Sequence, residues 1–293
     1  MVVDVLRHFN RSFTQRIGVL DDSYLHTGRS LGPSRLLFEI AGDGSSVLEL
    51  RRRLGLDSGY VSRLLGQLAD EGLVTVDPDP ADRRQRIVRL TSRGRAERRK
   101  LDRRSEQIAE RLVAPLSVRQ QTELAAALAT ADRLLRAATV EFDVVDARSA
   151  DGRWTMGEYF AELDERFPTG FDADAARDEG VEASAFAPPG GAFVVIRTDL
   201  DPIGCGGLQR VDDVTGEIKR MWIHPDWRGL GLGRRMVDHL EHLAAGLGYR
   251  RVVLDTNDSL EEAIAMYGAM GYDPTERYND NPYAQRWFVK QLA

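Results

Sequence analysis

The sequence predicts two domains, a mostly helical one followed by an α/β one, and three observations carry the prediction. The chain has 293 residues, which is long for one ordinary domain and comfortable for two. Its apolar period is helical through most of the first half and then alternates between strand and helix. Its charge is divided: residues 1–139 hold 24 Lys and Arg against 18 Asp and Glu, and residues 140–293 hold 16 against 28. Halves of opposite sign point to different partners. Composition narrows the class further. With 42% hydrophobic and 29% charged residues the chain is expected to fold as a globular protein. No apolar run approaches the roughly 18 residues of a membrane span. Met1 to Phe9 lacks a basic stretch followed by an apolar core, so no secretory signal is expected. The one cysteine, Cys205, excludes an internal disulfide and a cysteine-based zinc site. A cytoplasmic protein is the expectation.

In the first half, Leu31 to Ala41 and Val47 to Leu54 are apolar-periodic helices, the second ending at Gly55. Ser58 to Glu71 is a third, with Val61, Leu64, Leu65 and Leu68 on one face, Asp57 or Ser58 as N-cap, and Gly72 at its end. The period then switches. Leu73 to Val76 and Arg86 to Leu90 read as strands around the turn-forming stretch Asp77 to Asp82. A long helix from Thr91 to Val113 is stopped by Pro115, and Ser117 with Gln120 forms a capping box for a last helix to Ala138. No Gly/Ser linker separates the halves, so the boundary is placed between 139 and 140. The second half opens with a strand, Phe142 to Ala147, and a helix, Trp154 to Phe167. Strands follow at Phe193 to Thr198, Ile203 to Gln209 and Glu217 to His224. A helix from Gly231 to Leu247, a strand from Arg251 to Thr256, a helix from Leu260 to Met270 and a strand from Arg286 to Lys290 complete the order.

Helix, short turn, helix and a two-stranded ribbon with a basic turn make a winged helix-turn-helix. Its second helix enters the major groove, and residues near that helix's N-terminus face base edges. Here those are Ser58, Tyr60, Ser62 and Arg63, off the apolar face. Arg83, Arg84 and Arg86 in the wing can reach phosphates or the minor groove. Eleven basic residues lie between Arg83 and Arg104, which fits either a nucleic-acid footprint or a solvated, charge-laced helix.

The runs Ser58-Gly59-Tyr60-Val61-Ser62-Arg63-Leu64-Leu65, Leu68-x-x-Glu71-Gly72-Leu73-Val74, Asp79-Pro80-x-Asp82-Arg83-Arg84 and Leu90-Thr91-x-x-Gly94 resemble the MarR family of regulators, over residues 1–139. The resemblance implies a homodimer through the first and last helices, bound to a palindromic double-stranded DNA operator. It also implies that Asp82 orients a wing arginine.

In the second half, Arg228-Gly229-Leu230-Gly231-Leu232-Gly233 stands between a strand and a helix. Glycines let backbone N–H groups crowd a phosphate, and the helix N-terminus favours an anion. Arg228, Arg234 and Arg235 add charge. Alone, such a turn is ambiguous. A dinucleotide fold wants it in the first βαβ unit, and a P-loop needs Gly-Lys-Ser/Thr. In context, the run from Glu217 through His224-Pro225-x-x-Arg228-Gly229-x-Gly231-x-Gly233, with Ala263-x-x-Met266-Tyr267-x-x-x-Gly271-Tyr272, resembles the GNAT acetyltransferase superfamily over residues 140–293.

That resemblance implies a mixed-sheet α/β fold and acetyl transfer from acetyl-CoA to a primary amine, a small molecule or a lysine. It implies that Met221, Trp222 and Ile223 meet the pantetheine arm, and that Arg228, Gly229, Leu230, Gly231, Leu232, Gly233 and Arg234 hold the pyrophosphate. Tyr267 would protonate the leaving thiolate, and Glu217 is the expected base. Asn257 binds cofactor or shapes its strand end. Acceptor contacts are expected from Tyr159, Phe160, Phe167, Arg220 and the run Tyr278-Asn279-Asp280-Asn281-Pro282-Tyr283. Arg220 would suit a carboxylate on the acceptor, whereas the acidic charge of the domain would suit a cationic amine. The five histidines lack the spacing of a metal site, and none is expected. Two functions stand: a bifunctional regulator and N-acetyltransferase, or a sensor that binds acetyl-CoA or an effector without turnover and controls DNA binding.

Overall fold

The computed structural model describes residues 1–80, 82–167, 170–171, 183–199 and 201–292. Ala81 in the wing stretch and Leu200 in the turn before Ile203 lie outside the described residues. The chain divides into two compact units, Met1–Ala126 and Ala127–Ala293.

The first unit is built from α1 (Val2–Arg16), α2 (Leu31–Glu39), β1 (Ser45–Ser46), α3 (Val47–Leu54), α4 (Ser58–Asp70), β2 (Val74–Pro78), β3 (Arg86–Leu90) and α5 (Ser92–Val113). It also holds the start of α6 (Val118–Ala138). Its sheet has the order β1-β3-β2, antiparallel throughout. Each helix start follows its sequence. Ser46 and Glu49 form a capping box on α3, the Asp57 carboxylate accepts from the Tyr60 N–H on α4, and Thr91 Oγ1 accepts from the Gly94 N–H on α5. The core gathers Leu36, Leu37 and Ile40 with Leu50, the α4 face of Val61, Leu64, Leu65 and Leu68, and Leu73, Val88 and Leu101. α1 buries no residue, and Phe9 and Phe13 stack on its surface at 5.4 Å.

Several arginines of the basic stretch serve the fold. Arg98 donates to the Ile40 carbonyl at 2.5 Å, Arg104 to the Leu25 carbonyl at 2.8 Å, and Arg95 to the Leu90 carbonyl at 2.7 Å. These tie α5 to the end of β3, the C-terminal end of α2 and Leu25.

The second unit carries the rest of α6, then β4 (Glu141–Val145), α7 (Ala150–Arg166), β5 (Ala192–Thr198), β6 (Asp201–Arg210), β7 (Thr215–Ile223), α8 (Leu232–Gly246), β8 (Arg251–Thr256), α9 (Glu261–Ala269), β9 (Asp273–Pro274) and β10 (Arg286–Gln291). Its sheet runs β4-β5-β6-β7-β8-β10-β9. Every neighbouring pair is antiparallel except β7 and β8, which are parallel and joined through α8. This is a mixed sheet with a right-sized crossover helix between its one parallel pair. One face packs on α8 through Val194, Ile196, Leu208, Ile218, Met236, Leu240 and Leu254. The other places Phe193, Val195, Cys205 and Trp222 against Met156 and Tyr159 of α7. Among the described residues, no helix is long and apolar enough to cross a membrane.

Thr91 and Gly94 mark a close backbone approach in the first unit. Thr91 Oγ1 donates to the Gly72 carbonyl at 2.7 Å, and a Cβ on Gly94 would stand 1.9 Å from the Leu73 carbonyl oxygen. Gly94→Ala is therefore expected to destabilise this unit by about 1–3 kcal/mol, because backbone rather than a flexible side chain must move. Urea unfolding followed by helical circular dichroism measures it, with the second unit's transition as the internal reference.

Candidate functional site

The second unit encloses a cavity of about 900 Å³ where β7 and β8 part. These strands pair only over Thr215–Arg251, Gly216–Val252 and Glu217–Val253. Beyond that, β7 runs on to Ile223 and β8 to Thr256 without pairing each other. The divergence has a local cause. On the other side of β7, the register with β6 passes from Cys205–Trp222 to Gly207–Lys219, so two β7 residues, Arg220 and Met221, oppose Gly206 alone. This is a β-bulge. Arg220 adopts φ +58, a left-handed conformation that costs a non-glycine residue on the order of 1–2 kcal/mol. Gly206 fits closely opposite it: a Cβ there would lie 2.9 Å from both Leu240 Cδ1 and Met221 Sδ, and those side chains would have to move.

The bulge resets side-chain alternation. Ile218, Met221 and Ile223 join the α8-side core, while Trp222 joins the α7 side. Arg220 points to the α7 side, where its guanidinium lies over the rings of Phe160 at 4.8 Å and Tyr159 at 5.6 Å.

The glycine loop closes one end of the cavity. Gly229 and Gly231 have φ +73 and +76, and Gly231 is the N-cap of α8, whose first turn has no side-chain cap. The backbone donors of that turn have no capping side chain, and their field favours an anion. Arg228 Nε donates to the Ile223 carbonyl at 2.9 Å, and its Nη2 donates to Glu162 of α7. Glu162 also accepts from Trp222 Nε1 at 2.9 Å and from Arg166 at 3.3 Å, and Arg166 pairs with Glu262 of α9 at 2.9 Å. Alternating charges therefore tie the glycine loop through α7 to α9.

Tyr267 of α9 lines the cavity and is 5% exposed. Burial, with the charge of Asp255 adding to it, pushes its phenol well above the usual range, so it keeps its proton at any physiological pH. Burial likewise raises Tyr159, against the opposing pull of Arg220. Cys205 stays out of the chemistry, its buried thiol pushed up to about 12.

Of the residues singled out from the sequence, Met221, Trp222, Ile223, Arg228, Gly229, Gly231, Leu232, Gly233, Arg234, Asn257, Tyr267, Tyr159, Arg220, Phe167 and Tyr283 all line this one cavity. Leu230 instead packs against the α8-side core, and Phe160 is 3% exposed beneath Arg220. Asn257 donates to the Tyr283 carbonyl at 2.8 Å and accepts from the Ser259 N–H at 2.9 Å, which shapes the strand end. Glu217 stands away from the cavity lining. It is 4% exposed and accepts from Gln209, Lys219, Tyr278 and Asn279. Sequence reasoning passed over Glu162, Arg166, Lys219 and Asp255, which all line the cavity.

In the first unit, Ser58, Ser62 and Arg63 are exposed on α4, and Tyr60 is half-buried with the Arg63 guanidinium 5.7 Å from its ring centroid. Arg83, Arg84 and Arg86 are exposed in the wing. Asp82 accepts from the Arg84 backbone N–H at 3.0 Å, so it organises the turn through the backbone.

Comparison with known proteins separates along the same lines. Residues 156–272 match the Acetyltransferase (GNAT) family, and residues 28–85 match the MarR family. The peptidyl-lysine N-acetyltransferase YjaB of Salmonella typhimurium is 32% identical over 109 residues, which is 36% of this chain and 68% of that protein. The chain belongs to the GNAT acetyltransferase family. An uncharacterized N-acetyltransferase of Schizosaccharomyces pombe is 34% identical over 99 residues, covering 33% of this chain. An IAA acetyltransferase of Azospirillum brasilense is 30% identical over 93 residues, covering 31%. The chain spans 61% of the length of each of these two relatives. The three relatives are acetyltransferases by name, and the GNAT match runs from within α7 to just past α9, the stretch that holds most of the cavity lining.

Proposed function

We propose that the chain is a DNA-binding regulator fused to an N-acetyltransferase that moves an acetyl group from acetyl-CoA to a primary amine. The observation that carries the enzymatic half is the single cavity joining the uncapped start of α8, the unpaired length of β7 and the buried hydroxyl of Tyr267.

Each part of acetyl-CoA has a chemical counterpart there. The pyrophosphate suits the backbone donors of Gly229 to Gly233 with Arg228 and Arg234. The amide-bearing pantetheine arm suits the backbone of Met221 to Ile223, where β7 has no β8 partner. A backbone N–H at the bulge can polarise the thioester carbonyl as charge develops on its oxygen. The attacking amine forms the C–N bond, the C–S bond breaks, and the sulfur leaves as a thiolate. An ordinary thiol titrates below an ordinary phenol, and Tyr267 is raised further. Tyr267 therefore stabilises the thiolate chiefly by donating a hydrogen bond, ahead of full proton transfer.

Thiol release from acetyl-CoA in the presence of amino acids, polyamines and lysine peptides tests this half. Release above the acceptor-free rate is expected. Tyr267→Phe is expected to lower turnover by about 10²–10⁴-fold while leaving acetyl-CoA affinity within a few-fold. Tight acetyl-CoA binding without release for any amine would replace the enzyme with a sensor.

The regulatory half rests on the exposed polar face at the start of α4 and the exposed wing arginines. α4 supplies base contacts from Ser58, Tyr60, Ser62 and Arg63, and the wing supplies phosphate contacts. A homodimer on a palindromic operator fits this arrangement. Arg83→Ala with Arg84→Ala is expected to weaken operator binding. It should also reduce the slope of log affinity against log salt by about 1.8, the value for two lost phosphate contacts. Fluorescence anisotropy between 50 and 200 mM salt, roughly the range where such slopes are steep, reads both.

A further inference from the structure

Two carboxylates meet where β8 has parted from β7, and their surroundings differ in a way that assigns a role to each. Glu217 accepts four hydrogen bonds. Lys219 at 3.3 Å, Tyr278 at 2.9 Å and Asn279 at 3.1 Å reach Oε1, and Gln209 reaches Oε2. Three of these donors crowd Oε1, and Glu217 lies outside the cavity lining, so the position left on Oε2 does not open on the cavity. Asp255 accepts from Asn279 at 3.1 Å on Oδ1, from Asn281 on Oδ2, and has Lys219 Nζ 3.5 Å from Oδ1. One acceptor position remains on Oδ2 among the described residues, and Asp255 lines the cavity, which Glu217 does not.

The two amides are locked in that orientation. Trp287 Nε1 donates to Asn279 Oδ1 at 3.1 Å, and the Tyr283 N–H donates to Asn281 Oδ1 at 3.1 Å. Each amide nitrogen must therefore face a carboxylate. Trp287 sits directly opposite Asp255 in the β8–β10 register, so the sheet itself fixes the arrangement. Charge points the same way. Glu217 and Asp255 both pair with the ammonium of Lys219, and the Arg220 guanidinium lies over the Tyr159 and Phe160 rings. Glu162, the other inward carboxylate, already faces two guanidiniums. Glu262 is 81% exposed at the rim.

We infer that Asp255 is the catalytic residue that receives the acceptor amine as a cationic ammonium and accepts its proton, and that Glu217 is a positioning residue acting through Lys219 and Asn279. The inference rests on the acetyl-transfer reading above for its chemical step, and it names the acceptor class: primary amines that are cationic in solution. A carboxylate does not strip an alkylammonium outright at neutral pH, since their ordinary values lie about 6 units apart. Asp255 holds the ammonium, whose first proton passes by way of Asp255 to water, and the small neutral fraction that results attacks with its lone pair. As the C–N bond forms the nitrogen becomes acidic, and Asp255 accepts the second proton. That proton ends on the sulfur, whose charge the Tyr267 hydroxyl holds meanwhile. The charged and titratable groups around Asp255 are Lys219, Glu217 and Arg220 from β7, Tyr159 from α7, Tyr267 from α9, and Tyr278 from the loop before β10.

Binding of n-butylamine to the full chain, followed by tryptophan fluorescence, tests the assignment apart from turnover. Asp255→Asn is expected to weaken it at least tenfold while acetyl-CoA affinity and the thermal transition stay near wild type. The pH–rate profile of thiol release should lose its acidic limb in Asp255→Asn, keep it in Glu217→Gln at a lower maximum, and recover it in Asp255→Glu. Lys219→Met, which removes the shared cation, should move that limb to higher pH; this variant decides the matter if Asp255→Asn does not fold. Equal amine affinity in wild type and Asp255→Asn overturns the assignment, as does an acidic limb that neither Asp255→Asn nor Lys219→Met alters. Amine binding that depends on Asp255 without thiol release from the wild type would uphold the amine site and remove the acetyl-transfer reading instead.

Discussion

The second unit depends on one constraint, the parting of β7 from β8 after three paired residues. A parallel pair would ordinarily satisfy its backbone groups along its whole length, and groups left without partners are costly once buried. Here β7 keeps its pairing with β6 to the end, through a bulge, and leaves the β8 side open. The left-handed Arg220 and the closely packed glycine at position 206 mark that geometry locally. Everything lining the cavity is arranged around this opening: the glycine loop beyond the end of β7, Asp255 near the end of β8, and Tyr267 on the helix that follows. Strain of this kind persists only where the surrounding packing fixes it. Met236 and Leu240 of α8, both fully buried, supply that packing directly above Gly206.

Electrostatics divides the cavity into two ends. At the glycine loop, Arg228, Arg166 and Arg234 stand against Glu162 and Glu262, and the balance suits an anion. At the β8 end, Glu217 and Asp255 share Lys219, and the balance suits a cation. An anionic cosubstrate and a cationic acceptor would then enter by complementary fields, with the reacting atoms meeting where the strands part. Low exposure strengthens the β8 end, where the Glu217 and Asp255 side chains are each 5% exposed, because buried charges are poorly screened.

Most of the fold was legible because its elements carry strong local signals. The α4 face of Val61, Leu64, Leu65 and Leu68, the Asp57 cap and the capping box of Ser117 with Gln120 stand as read. The strands from β5 to β8 match their alternating or continuous apolar runs within a residue or two. Elements without such signals were missed. β1 has two residues, too few for a period, and α1 buries nothing in its own unit.

The site was legible where it is local and obscure where it is not. Arg228 to Gly233 and Tyr267 sit in contiguous motifs. Asp255 and Lys219 meet only because β7 and β8 are adjacent, and the sequence separates them by 36 positions with α8 between. Glu162 reads as an ordinary helical glutamate until Trp222 and Arg228 are seen to converge on it. Glu217 illustrates the converse. Its place on β7 is as expected, but its face holds four donors and no opening, a fact of packing that no spacing reveals.

The central claim is that the open side of β7 receives the thioester arm, and amide hydrogen exchange with and without acetyl-CoA tests it most directly. The account predicts that β7 amides between Ile218 and Ile223 without a β6 partner exchange quickly in the free protein and become protected with the ligand. The paired amides of β8 and β10 should change little. Protection confined to other strands, with β7 exchanging as before, would contradict it.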